Sequence, residues 1–520
     1  MSITQIVHSN LQRRPAAEAV CDGDTRIDYR RFADRIAKLA GGLQAQGVGS
    51  GQPVAILSLN SHRYLESVFA IAWAAARLNM VNIRWSVEEI AYSLNDCEAT
   101  ALIVDDAFLA MAAPLREKCP SLKTLIYAGD GDCPDGMLRY ESLIENSQPV
   151  PDAYVADEEM LGIFYTGGTT GKPKGVMLSH RSLMLFTANA GMLMDLEAEW
   201  RMLTCAPLFH IAGFGITVSA MLLGCPIVVI PGFDPQAVAK TVRAESIQSL
   251  LLVPTMVQML LDAPGFQASD FASLRTVCYG ASPMPMGTLN KLQSSLPEVT
   301  LNQGYGMTEC GLISIAGAEC HDARARDSGR IRSAGRPGLF NQVCILGEDG
   351  QPCPPGAVGE ICLRGPNVML GYWNKPDATA QTIVDGWLHT GDGGYMDADG
   401  YVFIVDRVKD MIISGGENIY SCEVETVLTQ HPAVAQCGVI GIPSDEWGET
   451  VHAVIVAAQD ADAGSLSVDG LRAFCKQHIA GYKCPRSFEI VDALPISGAG
   501  KILKTELRKP YWEGREKQVA

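Results

Sequence analysis

The sequence predicts an α/β fold: a large N-terminal domain with parallel-rich sheets covered by helices, a small β-rich subdomain, and a small α+β C-terminal domain. Three observations predict it. From about Met160 onward short apolar runs alternate with helix-length segments, as βαβ units with parallel strands do. After Gly335 the texture changes to strands punctuated by glycine and proline. The length of 520 residues exceeds what one core ordinarily serves.

The first 150 residues offer strand candidates Pro53–Leu57 and Ala101–Val104, separated by the helix candidate Arg63–Leu78. Strand candidates Leu161–Tyr165, Cys225–Ile230, Ser249–Val253 and Arg275–Tyr279 follow, so both parts fit one large α/β body. The stretch Ile211 to Ile230 carries no charge and is long enough to span a bilayer. Gly213, Gly215 and the break Gly224-Cys225-Pro226 favour a buried helix, a turn and the strand Pro226–Ile230. Beyond them lie strands Gly359–Arg364, Gly386–Asp392 and Gly400–Val405. The last unit is read as helices Cys422–Leu428 and Ser467–His478 with strands Val434–Ile440, Val451–Val456 and Ser487–Val491. Any joint is short and falls near Asp406–Lys409, dividing the chain into 1–408 and 409–520.

The formal charge of 41 − 58 = −17 argues against a nucleic-acid surface, which needs a basic field. Phosphate ligands must then be held by local sites. Sixteen cysteines are scattered without a C-x-x-C pair or Cys/His ligand spacing, as reduced thiols would be. Met1 to Val20 lacks the pattern of a signal peptide, so the expected location is cytoplasmic. No transmembrane segment is expected. Transient membrane contact and assembly into a homo-oligomer stay open, the first without support from a basic amphipathic helix.

The sharpest local feature is Tyr165-Thr166-Gly167-Gly168-Thr169-Thr170-Gly171-Lys172-Pro173-Lys174-Gly175, with four glycines, three threonines and two lysines after a strand candidate. Glycines let backbone N–H groups curl around phosphate oxygens, hydroxyls add donors and lysines add charge. It is not a Walker A loop. Thr166 stands where that loop needs glycine, and Pro173 replaces the required Ser/Thr and disfavours the helix that follows it.

This loop, Gln303-Gly304-Tyr305-Gly306-Met307-Thr308-Glu309, Gly386-Trp387-Leu388-His389-Thr390-Gly391-Asp392, Asp406-Arg407-Val408-Lys409-Asp410 and Gly500-Lys501 resemble, in order, the core motifs of the adenylate-forming superfamily. That superfamily contains acyl-CoA synthetases, aryl-CoA ligases, luciferases and the adenylation domains of nonribosomal peptide synthetases. The resemblance spans about Asp28 to Lys504. Gly167 stands where many members carry serine, which removes a hydroxyl but keeps the backbone donors; Lys504 stands where arginine often follows, which preserves the charge.

The resemblance implies an ATP-dependent carboxylic acid:CoA ligase of the acyl-CoA synthetase branch, AMP-forming, with ATP, Mg²⁺ and coenzyme A as its cofactor and co-substrates. Glu309 matches the magnesium-holding carboxylate, a hard oxygen ligand, and Thr308 the donor to the attacked phosphate. Asp392 and Arg407 match the residues that hold the ribose. Adenine is expected along Tyr279-Gly280-Ala281-Ser282 and against Tyr305, beside Gln303. Lys501 resembles the lysine that reaches the carboxylate and α-phosphate, where a cation reduces the repulsion between two anions. Lys409 matches the hinge about which a mobile C-terminal domain turns. In the second orientation Ser414-Gly415-Gly416-Glu417-Asn418 faces the site and its glycines leave room for pantetheine, with Trp447, Tyr482 and Lys483 as further CoA contacts.

His210, in Pro207-Leu208-Phe209-His210, resembles an aromatic gate beside the carboxylate. Ile211, Ala212, Phe214, Met256 and Met307 are candidate pocket walls, with Gly280 and Gly304 leaving room for a chain. None is charged, which favours a small-molecule apolar acid over an amino acid, whose ammonium needs a buried partner. A medium- or long-chain fatty acid is the preferred reading and an aryl or hydroxycinnamate acid the alternative. A separate carrier-protein partner keeps a stand-alone adenylation enzyme in play. A nucleotide-binding regulator descended from such an enzyme is disfavoured, because it would be expected to have lost Glu309, Arg407 or Lys501.

Overall fold

A computed structural model describes residues 1–166, 172–194, 196–407, 410–415, 417–458, 466–496 and 502–513. Pro53–Leu57 is buried at all five positions. It lies between two parallel neighbours, Arg77–Met80 and Ala101–Val104, in an eight-stranded sheet. A strand covered on both faces has no polar side to show, which is why it reads as a continuous apolar run. Met160–Thr166 extends this sheet, parallel to Arg77–Met80 and antiparallel to Lys174–Ser179.

A second sheet of nine strands is parallel through Ile227–Val229, Met202–Thr204, Ser249–Leu252, Thr276–Gly280 and Thr300–Met307. One edge continues antiparallel through Gly311–Ala316 and Arg336–Pro337. At the other, the early strand Glu18–Asp22 lies parallel to Ile227–Val229 and carries Thr25–Asp28 outside it. The N-terminal region is therefore built of two sheets, and the first strands of the chain belong to the second of them.

Two expectations need correction. The helix candidate Arg63–Leu78 is a helix only over His62–Trp73, and Arg77–Met80 is a strand. The chain reverses at Ala75, a non-glycine residue at φ 58°. The uncharged stretch is a helix over Ile211–Leu223, ended by Gly224 in the left-handed region at φ 88°, then a strand over only Ile227–Val229. No helix among the described residues is long and apolar enough to cross a membrane.

The β-rich subdomain is a five-stranded antiparallel sheet containing Gln342–Leu346, Gly359–Arg364, Trp387–Met396 and Val402–Arg407. Beyond Asp410 another five-stranded sheet is built on the long hairpin Val434–Ser444/Gly448–Ala457. Helices Ser421–Leu428 and Val468–His478 cover it. Its apolar cluster, including Ile412, Val424, Leu428, Val439 and Val451, is separate from the main core. Lys409, the expected hinge, lies outside the described residues.

A polar network ties helices of the first sheet together. Arg35 pairs with Glu66, which is wholly buried, and with Glu141, which also receives Arg63. Burial alone would raise the pKa of Glu141, but the bonds from Arg35 and Arg63 outweigh it and hold the carboxyl at about 2. A carboxylate with a depressed pKa contributes stability that is present above its unfolded value and lost as the pH falls through the folded one. Thermal midpoints are accordingly expected to fall between pH about 4.5 and about 2, and Glu141→Gln to lose this part of the slope. An unchanged slope in the variant would show that the network does not set acid stability.

Candidate active site

The glycine-rich loop is carried at the turn between Met160–Thr166 and Lys174–Ser179, where Thr166 pairs with Lys174 and Tyr165 with Gly175. Gly167, Gly168, Thr169, Thr170 and Gly171 lie outside the described residues. Gly175 is required at the base, since a Cβ there would come within 2.6 Å of Ile163 and 3.1 Å of the Tyr165 ring. Lys172 Nζ stands 5.1 Å from the centre of the Tyr92 ring. Lys174 Nζ stands 4.8 Å from that of Tyr372.

Tyr372 joins this loop to the next motif. Its hydroxyl donates to Glu309 Oε1 at 2.7 Å, and the Glu309 carbonyl accepts from Met369 N–H at 2.7 Å. Burial, and then the Glu309 charge, raise the Tyr372 pKa, so the phenol keeps its proton and stays a donor. Glu309 is buried and follows Thr308 just past the strand Thr300–Met307. A hard carboxylate linked through Tyr372 to Lys174, at the base of the glycine-rich loop, fits Mg²⁺, which takes one or two carboxylates and completes its shell with water and substrate phosphates.

Thr276–Gly280 and Thr300–Met307 are adjacent, with Gly280 opposite Gly304. A Cβ at Gly280 would sit 2.3 Å from the Gly304 carbonyl oxygen, so only glycine allows these strands their approach. Ala281 follows at φ 66°, a conformation non-glycine residues adopt at a cost of about 1–3 kcal/mol and one that clusters at functional sites. Ser282 is half-buried after it. The Gln303 side chain lies 3.2 Å from the Tyr279 hydroxyl.

Asp392 and Arg407 face one another across antiparallel strands, with Arg407 Nε 3.2 Å from Asp392 Oδ1. The buried Tyr305 hydroxyl donates to Asp392 Oδ2 at 2.7 Å. An irregularity in the ladder between Gly359–Arg364 and Trp387–Met396 falls on the His-Thr-Gly-Asp segment, and Gly391 takes φ 71° within it. Such bulges re-aim side chains next to functional sites. Thr390 Oγ1 donates to the Ile361 carbonyl and accepts from Asp392 N–H, while Gly391 N–H donates to Glu360 Oε1.

His210 caps the helix Ile211–Leu223, its Nδ1 accepting from Ala212 N–H at 3.3 Å. Ile211 is buried, Met256 and Met307 are half-buried, and Phe214 is fully buried with its ring 6.1 Å from that of Phe164. A side chain at Gly304 would meet Leu312 at 3.0 Å and Met194 at 3.3 Å, so these two apolar residues flank the space that glycine leaves.

Of the residues expected to meet CoA, Gly415 is at φ 63°, and a Cβ there would lie 2.7 Å from the Trp447 ring. Trp447 is also 4.6 Å from the Arg486 guanidinium. Tyr482 is 47% exposed and free of the core. Lys483 Nζ bonds both Glu423 oxygens at 2.8 Å, so its charge is already paired. Glu417 is exposed opposite Ser414. Gly416 and Lys501 lie outside the described residues. Lys504 is anchored on Glu425 at 2.7 Å and on the Ser421 hydroxyl, which donates in turn to Asp406.

Tyr372, Met194, Leu312 and Glu360 are the partners the sequence did not point to. Tyr372 lies 63 residues from Glu309, and its only local signal is the Gly371-Tyr372 pair, with Gly371 at φ 136°.

The family model described as AMP-binding enzyme matches residues 7–373, and that described as AMP-binding enzyme C-terminal domain matches residues 423–501. A feruloyl-CoA synthase of Amycolatopsis sp is 40% identical over 505 residues, 96% of each chain. A medium/long-chain-fatty-acid–CoA ligase of Mycobacterium tuberculosis is 38% identical over 515 residues, 96% of this chain and 88% of that one. The crystal structure of an anthranilate CoA ligase in complex with anthranoyl-AMP is similar with a TM-score of 0.91 and 27% identity, over 99% of this chain and 98% of that one.

Proposed function

The chain belongs to the AMP-binding enzyme family, in the acyl-CoA ligase branch of the adenylate-forming superfamily, and from that premise we propose which acid it activates and which residues do so. As an AMP-forming acid–thiol ligase it works in two steps. A carboxylate oxygen attacks the α-phosphorus of ATP and pyrophosphate leaves. The thiol of coenzyme A then loses its proton to solvent as its sulfur bonds to the acyl carbon, and AMP leaves with the electrons of the broken acyl–oxygen bond.

The proposed acid is an apolar monocarboxylate, with a medium- or long-chain alkyl acid preferred. The observation that carries this reading is the uncharged surroundings of Gly304, where Met194 and Leu312 flank the space that glycine leaves, together with the uncharged candidate walls Ile211, Phe214, Met256 and Met307. A buried ammonium there would lack a carboxylate partner at a cost of several kcal/mol. An aryl or hydroxycinnamate acid is the second reading, favoured by the likeness to a feruloyl-CoA synthase.

Asp392, oriented by Tyr305 and Arg407, accepts from the ribose hydroxyls. Lys172, Lys174 and the Thr166–Gly171 loop hold the phosphates, and Thr308 donates to the one under attack. Glu309 is the residue that would hold Mg²⁺, which when bound supplies positive charge to the phosphate oxygens. His210 borders the entering carboxylate. Residues 1–408 form the adenylation domain and 409–520 the mobile one, with Gly415, Gly416, Glu417, Trp447, Tyr482 and Lys483 toward CoA. The proposed location is cytoplasmic.

Pyrophosphate exchange across alkanoic, benzoic, cinnamic and amino acids, followed by CoA addition, tests this reading. The expected products are AMP, pyrophosphate and an acyl thioester, with alkanoates turned over fastest. Exchange supported by amino acids alone would overturn the pocket assignment.

A further inference from the structure

We propose that the face of the β-rich subdomain around His389 is a binding site for a thiophilic divalent cation such as Zn²⁺, held by Glu360, Cys362 and His389. The ligand atoms of these three all lie within 4.8 Å of one another. His389 Nδ1 is 2.7 Å from Glu360 Oε2 and 3.5 Å from Cys362 Sγ. Sheet register produces the cluster. Cys362 stands directly opposite His389 on one neighbouring strand and opposite Cys344 on the other. Residues directly opposite share a face, and so do residues two apart on a strand, which brings in Glu360.

The donor set suits the cation. Zinc takes thiolate sulfur at about 2.3 Å and imidazole nitrogen or carboxylate oxygen at about 2.0–2.2 Å in a tetrahedron. Those bond lengths set sulfur and nitrogen about 3.6 Å apart, and nitrogen and oxygen about 3.4 Å apart. The first separation is already present, and the second requires the carboxylate to withdraw by about 0.7 Å. Glu360 is pre-oriented for this, because its other oxygen accepts from Gly391 N–H at 2.8 Å, the kind of outer contact that steadies a metal ligand. Cys362 is fully buried, while His389 and Glu360 are 27% and 28% exposed, so a cation enters from the solvent side and keeps water in the fourth position.

Binding exchanges protons for the metal. Burial, and then the Glu360 charge, push the Cys362 thiol up to about 12, so it arrives protonated. The metal–sulfur bond forms as the S–H bond breaks and the proton passes to solvent. The Nδ1 of His389 donates its lone pair to the metal, and any ring proton is carried on Nε2.

Co²⁺ titration of the full-length protein, followed by Zn²⁺ displacement, tests the site. One equivalent per chain is expected, with a tetrahedral ligand-field spectrum and a thiolate charge-transfer band that Zn²⁺ abolishes. Cys362→Ser should lose that band. His389→Gln should keep it but weaken binding more than about tenfold, the loss that even an outer partner causes. Should Cys362→Ser fail to fold, His389→Gln and the conservative Glu360→Gln carry the test, each judged by its Co²⁺ affinity and by the rise of the thermal midpoint with Zn²⁺. Binding unchanged in these variants, or weakened equally by Cys133→Ser elsewhere on the chain, would overturn the proposal.

Discussion

Lys501→Ala is expected to slow acyl-adenylate formation by about 10²–10³-fold, the usual cost of removing one preorganised charge-stabilising group. Supplied with a pre-made acyl adenylate, the same variant is expected to form acyl-CoA at a substantial fraction of the wild-type rate. The two halves separate because Lys501 is proposed to serve only the first. Ile496 and Ile502 pair with each other, and Leu503 N–H donates to the Pro495 carbonyl at 2.8 Å, so the described residues on either side of Lys501 are held together at one place. Lys504, fixed on Glu425, ties that place to the helix Ser421–Leu428. The proposed turn of the domain would therefore carry Lys501 with it. Equal damage to both half-reactions, with the circular dichroism spectrum unchanged, would leave Lys501 a general phosphate-binding residue and refute alternation.

Glu309→Gln is expected to lower kcat/KM by about 10²-fold or more, by removing the carboxylate charge proposed to hold a phosphate-bound cation. The amide has nearly the same volume and still accepts from the Tyr372 hydroxyl, so the thermal midpoint should hardly move. Raising Mg²⁺ should recover part of the lost rate, because the variant binds the cation more weakly. Activity within about threefold of wild type, or about 0.6 kcal/mol of barrier, at unchanged Mg²⁺ dependence would remove Glu309 from that role.

Much of this was legible in the sequence for a physical reason. Pro53–Leu57 and Ala101–Val104 read correctly because strands covered on both faces are short continuous apolar runs. The glycine-rich loop stood out because glycine, threonine and lysine crowd into eleven residues, and the structure puts its two ends on paired antiparallel strands. Arg77 and Leu78, the first half of a strand, were absorbed into the helix candidate because buried helices and buried strands share an apolar texture, and the reversal between them is made by Ala75 rather than by glycine. The split into two sheets was hidden for another reason: hydrophobic periodicity says that a strand is buried but not which strand lies beside it. The same blindness covers Tyr372 against Glu309 and the meeting of Glu360 with His389, 29 residues apart. Cys/His spacing along the chain gave no sign of the latter, since a sheet assembles its neighbours across strands.

The place of Glu18–Asp22 in the second sheet sets a timetable for synthesis. Its parallel partner, Ile227–Val229, is made about 200 residues later, which at about 5–20 residues per second is roughly 10–40 s. Throughout that interval Ala19, Val20 and Cys21, fully buried in the finished enzyme, have only the four-residue strand Thr25–Asp28 to lie against, on one edge. The nascent N-terminus is therefore the stretch expected to recruit a holding chaperone on the ribosome, and slowing translation between about codons 22 and 229 should lengthen that exposure and lower the yield of soluble protein.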